Sequence, residues 1–258
     1  MLFPRLLTAV FGIPLLLWLV HRGGLAFALL VVGVCGLCLY EYGVILLLAG
    51  KRPQRALLGL SGLALALCRA FGGPLELVLA ACAAACALGE LFSREHGLER
   101  MAAALFGAIF LGWMPAHLAL LRDLRPHGER LTYMLFLAVW GCDSAAYLVG
   151  SAFGKHPLAA RISPRKTWEG AAAGCLAAGL VVFAFRAASP GLLSVPRALL
   201  VAASIGILGQ LSDLVESLIK RSLGAKDSGA LLPGHGGMLD RFDSLLLAAP
   251  AVYYCLTL

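Results

Sequence analysis

Apolar residues run along this chain in blocks of about 20, parted by short segments where glycine, proline and charge collect. A block of that length, rising about 1.5 Å per residue as a helix, crosses a hydrocarbon layer about 30 Å thick. Backbone groups inside such a layer meet no water, so the blocks are expected to satisfy them internally as helices. The pattern predicts nine: 4–20, 25–48, 56–70, 74–92, 101–121, 131–150, 168–187, 196–221 and 244–258. The third and the last are short for a span. The expected fold class is all-α, a polytopic transmembrane helical bundle of about nine spans. It reads as a single integral membrane domain over 1–258, with 1–130 mainly helical scaffold and 131–258 carrying the catalytic helices and cytoplasmic loops.

Composition strengthens the membrane reading. Hydrophobic residues make up 60% of the 258 positions and charged ones only 14%, and the mean hydropathy is +0.88, far from the balance of a soluble domain. The first block, Leu6–Val20, follows Arg5 and leads into His21-Arg22 instead of a small-residue cleavage site, so it is expected to remain as a helix. With nine spans, 14 of the 21 Lys and Arg residues fall on the side of the amino terminus and the even-numbered connections. The positive-inside tendency places that side in the cytoplasm. The net charge of +7 thus reflects topology, and no basic module interleaved with aromatics supports nucleic-acid binding. The eight cysteines lie in or beside apolar blocks, including Cys35-Gly36-Leu37-Cys38, and read as inert thiols.

Against this background, ionisable residues inside the blocks stand out, because each is costly in lipid without a partner or a function. In the eighth block Asp213, Glu216, Ser217 and Lys220 stand at i, i+3, i+4 and i+7, one face of a helix that Gln210 extends backward. That stripe runs into Lys220-Arg221, Lys226-Asp227-Ser228-Gly229, Pro233-Gly234-His235-Gly236-Gly237 and Asp240-Arg241-Phe242-Asp243-Ser244. Glycines let successive N–H groups turn toward an anion, and the neighbouring cations suit polyphosphate. Oxygen ligands from Asp213, Asp240 and Asp243 suit Mg²⁺, and no His/Cys cluster with zinc spacing competes. A second cluster holds Asp143, Ser144 and Tyr147, then Ser163-Pro164-Arg165-Lys166, with Ser163-Pro164 expected to turn into the seventh helix. Gly170 and Gly174 read as a close-packing pair, His117 as a core histidine, and Glu41, Glu76 and Glu90 as isolated glutamates.

The run Ser217-Leu-Ile-Lys-Arg221, then Lys226-Asp-Ser-Gly229, then Pro233-Gly-His-Gly-Gly-Met-Leu-Asp-Arg-Phe-Asp243 resembles the signature of phosphatidate cytidylyltransferases, also called CDP-diacylglycerol synthases. The likeness continues upstream through Asp143-Ser-Ala-Ala-Tyr147, the stretch Ser163 to Gly170 and Arg5-Leu-Leu-Thr-Ala9. Ser212, where relatives commonly carry Gly, and Arg165, where Lys is more familiar, depart from it. The resemblance implies conversion of CTP and phosphatidic acid to CDP-diacylglycerol and pyrophosphate by a homodimer in the bacterial inner membrane, its active site facing the cytoplasm. It also implies a cation pair at Asp213 and Asp240 with Ser217 nearby, Mg²⁺ as one cation and K⁺ as a candidate for the other.

Phosphatidate already carries an anionic nucleophile, so repulsion between two polyanions is the main obstacle, and cations and positioning are expected to dominate. On this reading Asp213 and Asp240 hold the cations, with Asp243 a further ligand or a support. Lys220, Arg221, Lys226 and Arg241 clamp phosphates. Asp143, Ser144, Ser163 and Lys166 complete the pocket, and His235 either donates to pyrophosphate or organises the loop. Rival readings are a CTP-dependent polyprenol or lipid kinase and an ion-coupled secondary transporter using Asp143, Asp213 and Glu216. No inverted repeat supports the transporter, and the aspartate-rich signature of the CDP-alcohol phosphotransferases is missing from the sequence.

Overall fold

The computed structural model describes residues 2–93, 97–229, 231 and 236–258, with the side chains of the first helix from Val10 onward. Helices dominate in the order α1 (Leu2–Arg22), α2 (Gly24–Leu48), α3 (Arg55–Phe71), α4 (Leu75–Leu91), α5 (Leu98–Gly107), α6 (His117–Asp123), α7 (Gly128–Phe153), α8 (Trp168–Ala188), α9 (Val195–Ala203), α10 (Gly209–Ser222), α11 (Leu239–Phe242) and α12 (Leu245–Thr257). A wider π-helical stretch, Ala108–Trp113, follows α5, and a second, Ser204–Leu208, joins α9 to α10. Among the described residues, five helical runs are long and apolar enough to cross a membrane: Gly24–Leu48, Leu98–Asp123, Gly128–Phe153, Trp168–Ala188 and Val195–Ser222. The chain is accordingly a membrane protein built mostly of helix.

The chain divides into two compact units, one formed by residues 1–120 with 222–242 and the other by 121–221 with 243–258. In the first, α3 lies against α2 and the π-helical stretch 108–113. Close approach there depends on small residues: a side chain on Gly62 would strike Leu39, and one on Gly112 would strike the Gly62 carbonyl. His117 is fully buried, and its Nε2 accepts from Arg69 Nε at 3.1 Å. Nδ1–H is thereby left to donate to the Met114 carbonyl at 2.9 Å, the satisfied core histidine that its apolar surroundings lead one to expect.

In the second unit α7 and α8 run together along a small-residue seam. A Cβ on Gly170 would lie 2.6 Å from the Ala146 carbonyl oxygen, and one on Gly174 3.0 Å from that of Cys142. The connection between these helices is not a simple turn. It forms an antiparallel hairpin, β1 (Pro157–Ala159) with β2 (Ser163–Thr167), in register Pro157 to Thr167 and Ala159 to Ser163. Ile162 N–H donates to Ala159 O and Trp168 N–H to His156 O, closing the hairpin at both ends. Pro164 favours extended backbone at Ser163, and Thr167 Oγ1 accepts from Gly170 N–H at 3.2 Å as the N-cap of α8. These strands are too short and too polar to announce themselves by alternation.

The second π-helical stretch sets up α10. Gln210 Nε2 donates to the Gly206 carbonyl at 2.7 Å and to the Ala171 carbonyl of α8 at 3.1 Å. The widened turn frees a carbonyl that the amide side chain then satisfies. Three residues further on begins the polar stripe.

Candidate active site

Helical spacing gathers Asp213, Glu216, Ser217 and Lys220 on one side of α10, and local pairs form along it. Ser217 Oγ donates to Asp213 Oδ1 at 3.4 Å, and Lys220 Nζ lies 2.7 Å from Glu216 Oε2. The Glu216 side chain is 1% exposed and that of Lys220 12%, so this ion pair stands apart from bulk solvent. From β2, Lys166 reaches across so that its Nζ lies 2.6 Å from Asp213 Oδ2. Asp243, just before α12, completes the group: Asp213, Glu216 and Asp243 each offer an oxygen, all within 4.8 Å of one another.

Ser212 holds this corner together. Its buried hydroxyl donates to the Asp243 carbonyl and accepts from Leu247 N–H at 3.2 Å. The side chain in which this sequence departs from its expected family pattern therefore ties α10 to the first turn of α12. Beside it, Ser244 Oγ lies 3.4 Å from Asp143 Oδ2 and donates to that carboxylate, which brings α7 into the centre. Loss of solvent, then the charges of Asp213 and Glu216, push the Asp243 carboxyl well above its usual range. Converging carboxylates resist joint ionisation unless positive charge is shared among them, and an all-oxygen set at this spacing offers the donor type that a hard cation takes.

The glycine-rich motif belongs to the first unit and is organised by different carboxylates. Asp240 Oδ2 accepts from Ser228 N–H at 3.1 Å and from Gly237 N–H at 3.0 Å. Glu41, on α2 and 2% exposed, accepts from Ser228 Oγ at 3.1 Å, Met238 N–H at 2.8 Å and Leu239 N–H at 2.9 Å. Gly236, at φ +85°, supplies the left-handed turn that leads into these donors. Lys226 and Arg241 are exposed on the same segment. Pro233, Gly234 and His235 lie outside the described residues.

Of the other residues marked in the sequence, Ser144 is exposed on α7, Ser163 pairs with Ala159 at the end of the hairpin, and Arg221 is exposed near the end of α10. Thus Asp143, Lys166, Asp213, Ser217, Lys220 and Asp243 come together within the second unit, whereas Lys226, Asp240 and Arg241 belong to the first. Glu216 was legible as part of the stripe but not as a member of the carboxylate group, which needs Asp243 from 27 residues further along. Glu41 and Glu90 are not isolated. Glu90 accepts from Gln54 Nε2 and from Gly97 N–H at 2.7 Å, and Glu41 has the three donors just described. Only their presence as carboxylates in apolar blocks could have flagged them.

Helices suited to a bilayer, a convergent carboxylate group and lysines paired with it define a membrane protein with a charged polar centre. The model of the cytidylyltransferase family matches residues 3–258, and the chain belongs to that family. It is therefore a nucleotidyltransferase. Among curated proteins it is similar to a phosphatidate cytidylyltransferase of Brucella suis biovar 1, 39% identical over 96% of this chain and 91% of the relative. It is also similar to one of Bacillus subtilis, 34% identical over 98% and 97% of the two chains, and to one of Haemophilus influenzae, 42% identical over about half of each.

Proposed function

We propose that this chain transfers the cytidylyl group of CTP to phosphatidate, giving CDP-diacylglycerol and pyrophosphate. A phosphate oxygen of the lipid forms the new bond to the α-phosphorus as the bond from that phosphorus to the β-phosphate bridging oxygen breaks. The observation that carries the reading is the joining of Asp213, Glu216 and Asp243 with Lys166 and Lys220 in a chain of the cytidylyltransferase family.

The nucleophile is ionised at the start, so the protein needs no strong base; it must bring two anions into line and offset their repulsion. Lys166 and Lys220 supply positive charge beside the carboxylates, Lys226 and Arg241 are assigned to the phosphates of CTP, and Arg221 is assigned as a further phosphate clamp. Asp143, with Ser144 and Ser163, is assigned to the wall of the pocket, and Ser217 to holding Asp213. His235 is assigned either to donating to pyrophosphate or to organising the loop. Asp213, Glu216 and Asp243 fit Mg²⁺ by donor type and spacing; when bound it would neutralise charge on phosphate oxygens and on the departing pyrophosphate. The family resemblance adds Asp240 as a ligand and K⁺ as the second cation. We further assign to the chain about nine spans and a cytoplasmic amino terminus and active site, supported by the helix pattern and the Lys/Arg asymmetry; a homodimeric state and the bacterial inner membrane are assigned from the family resemblance.

Purified protein supplied with phosphatidic acid, Mg²⁺ and CTP labelled at the α- or γ-phosphate tests the reaction. Retention of the α label in lipid with release of pyrophosphate is expected. Transfer of the γ label would replace this reading with a lipid kinase.

A further inference from the structure

A glutamate on a long apolar helix is costly unless its charge is answered. Glu41 is 2% exposed and sits in α2, a 25-residue helix. Its partners are not neighbours on that helix: they are Ser228, Met238 and Leu239, separated from it by 187, 197 and 198 positions. All three lie in the glycine-rich motif. All three are donors, and two of them are the backbone N–H groups of Met238 and Leu239, at the entrance to α11.

The glycines of the motif take their meaning from the same carboxylate. A Cβ on Gly229 would lie 2.9 Å from Glu41 Oε1, and one on Gly237 would strike both Ser228 Oγ and the Glu41 carboxylate. Ser228 then links two acids, giving its hydroxyl hydrogen to Glu41 and its N–H to Asp240. Gly237 N–H closes the arrangement on Asp240. The arms 226–229 and 236–241 are thereby fixed by Glu41 from one side and by Asp240 from within.

We propose that Glu41 is a positioning residue for cytidylyl transfer: it fixes the two arms of the glycine-rich motif, and through them the posture of Lys226, Asp240 and Arg241 toward the nucleotide's phosphates. It touches no reacting atom and acts through backbone geometry. The inference rests on the proposed reaction for its kinetic consequence, but the anchor itself can be read without turnover.

Glu41→Gln keeps the size of the side chain and turns an amide NH₂ toward groups that are themselves donors. Its turnover is expected to fall about tenfold or more, as for other residues that orient substrate-binding groups at one remove. KM for CTP should rise while KM for phosphatidate stays near wild type. Amide hydrogen exchange at Met238 and Leu239 should quicken, while that of the α7 and α8 interior does not change. Glu41→Asp should recover part of the loss. Ser228→Ala, which removes a single donor, serves if Glu41→Gln does not fold; it should shift the same parameters less, and combined with Glu41→Asp it should add little. Unchanged exchange at Met238 and Leu239 in Glu41→Gln overturns the inference. Equal changes in KM for both substrates, or fully multiplicative effects of Glu41→Asp and Ser228→Ala, overturn it too by pointing to a general packing role. A wild-type protein inactive on CTP and phosphatidate defeats the proposed reaction, yet leaves the exchange result to decide whether Glu41 holds the motif.

Discussion

Glu41 and Glu216 are both glutamates sunk into long helical runs, 2% and 1% exposed, yet their surroundings differ in kind. Glu41 faces N–H and O–H donors contributed by a loop. Glu216 faces Lys220 and shares its space with Asp213 and Asp243. A carboxylate surrounded by backbone donors is an anchor, because its charge is spent on fixing the chain that donates. Carboxylates that converge on one another are held in an arrangement that the paired lysines offset and that a cation is proposed to complete. Burial alone would not have told these two glutamates apart; their partners do.

The largest effect that could break this contrast is at Asp213. Asp213→Asn is expected to lower turnover by about a hundredfold to a thousandfold, the scale of losing a principal electrostatic contributor, while the protein stays folded in detergent. Mg²⁺ should raise the melting temperature of the wild type and of Glu41→Gln but not of Asp213→Asn. An Asp213→Asn variant with near-normal turnover and an intact Mg²⁺ response would place the cation elsewhere. Next comes Lys220→Met, which leaves Glu216 beside two other acids and should cost about 3 kcal/mol of stability. Denaturation should show the double variant Lys220→Met with Glu216→Gln to be less damaged than Lys220→Met alone. The smallest effect is expected from Ser212→Ala, about 1 to 2 kcal/mol, because it strips the Leu247 N–H and the Asp243 carbonyl of their shared hydroxyl. No loss at all would mean that the corner is held without it.

Much of the helical framework was legible because lipid admits few backbone solutions. The block read as 25–48 is the helix Gly24–Leu48, and that read as 168–187 is Trp168–Ala188. The hairpin 157–167, the one-turn α11 and the two π-helical stretches were not legible, since each is decided by a few hydrogen bonds in segments with no hydrophobic period. The resemblance implied Asp240 as a cation ligand; what the structure shows is its carboxylate accepting from the Ser228 and Gly237 N–H groups.

From the sequence alone came the membrane setting, through the length and apolarity of its blocks, and the face of α10 that carries Asp213, Glu216, Ser217 and Lys220, through the 3.6-residue period. Both are local properties, written within about 20 consecutive residues. Tertiary structure alone decided that Asp243 joins Asp213 and Glu216, that Lys166 on the hairpin meets Asp213, and that Glu41 grips a loop 187 or more positions away. Such pairings depend on how helices pack and where the chain returns, and no periodicity in a sequence encodes which distant donor will meet which buried acid.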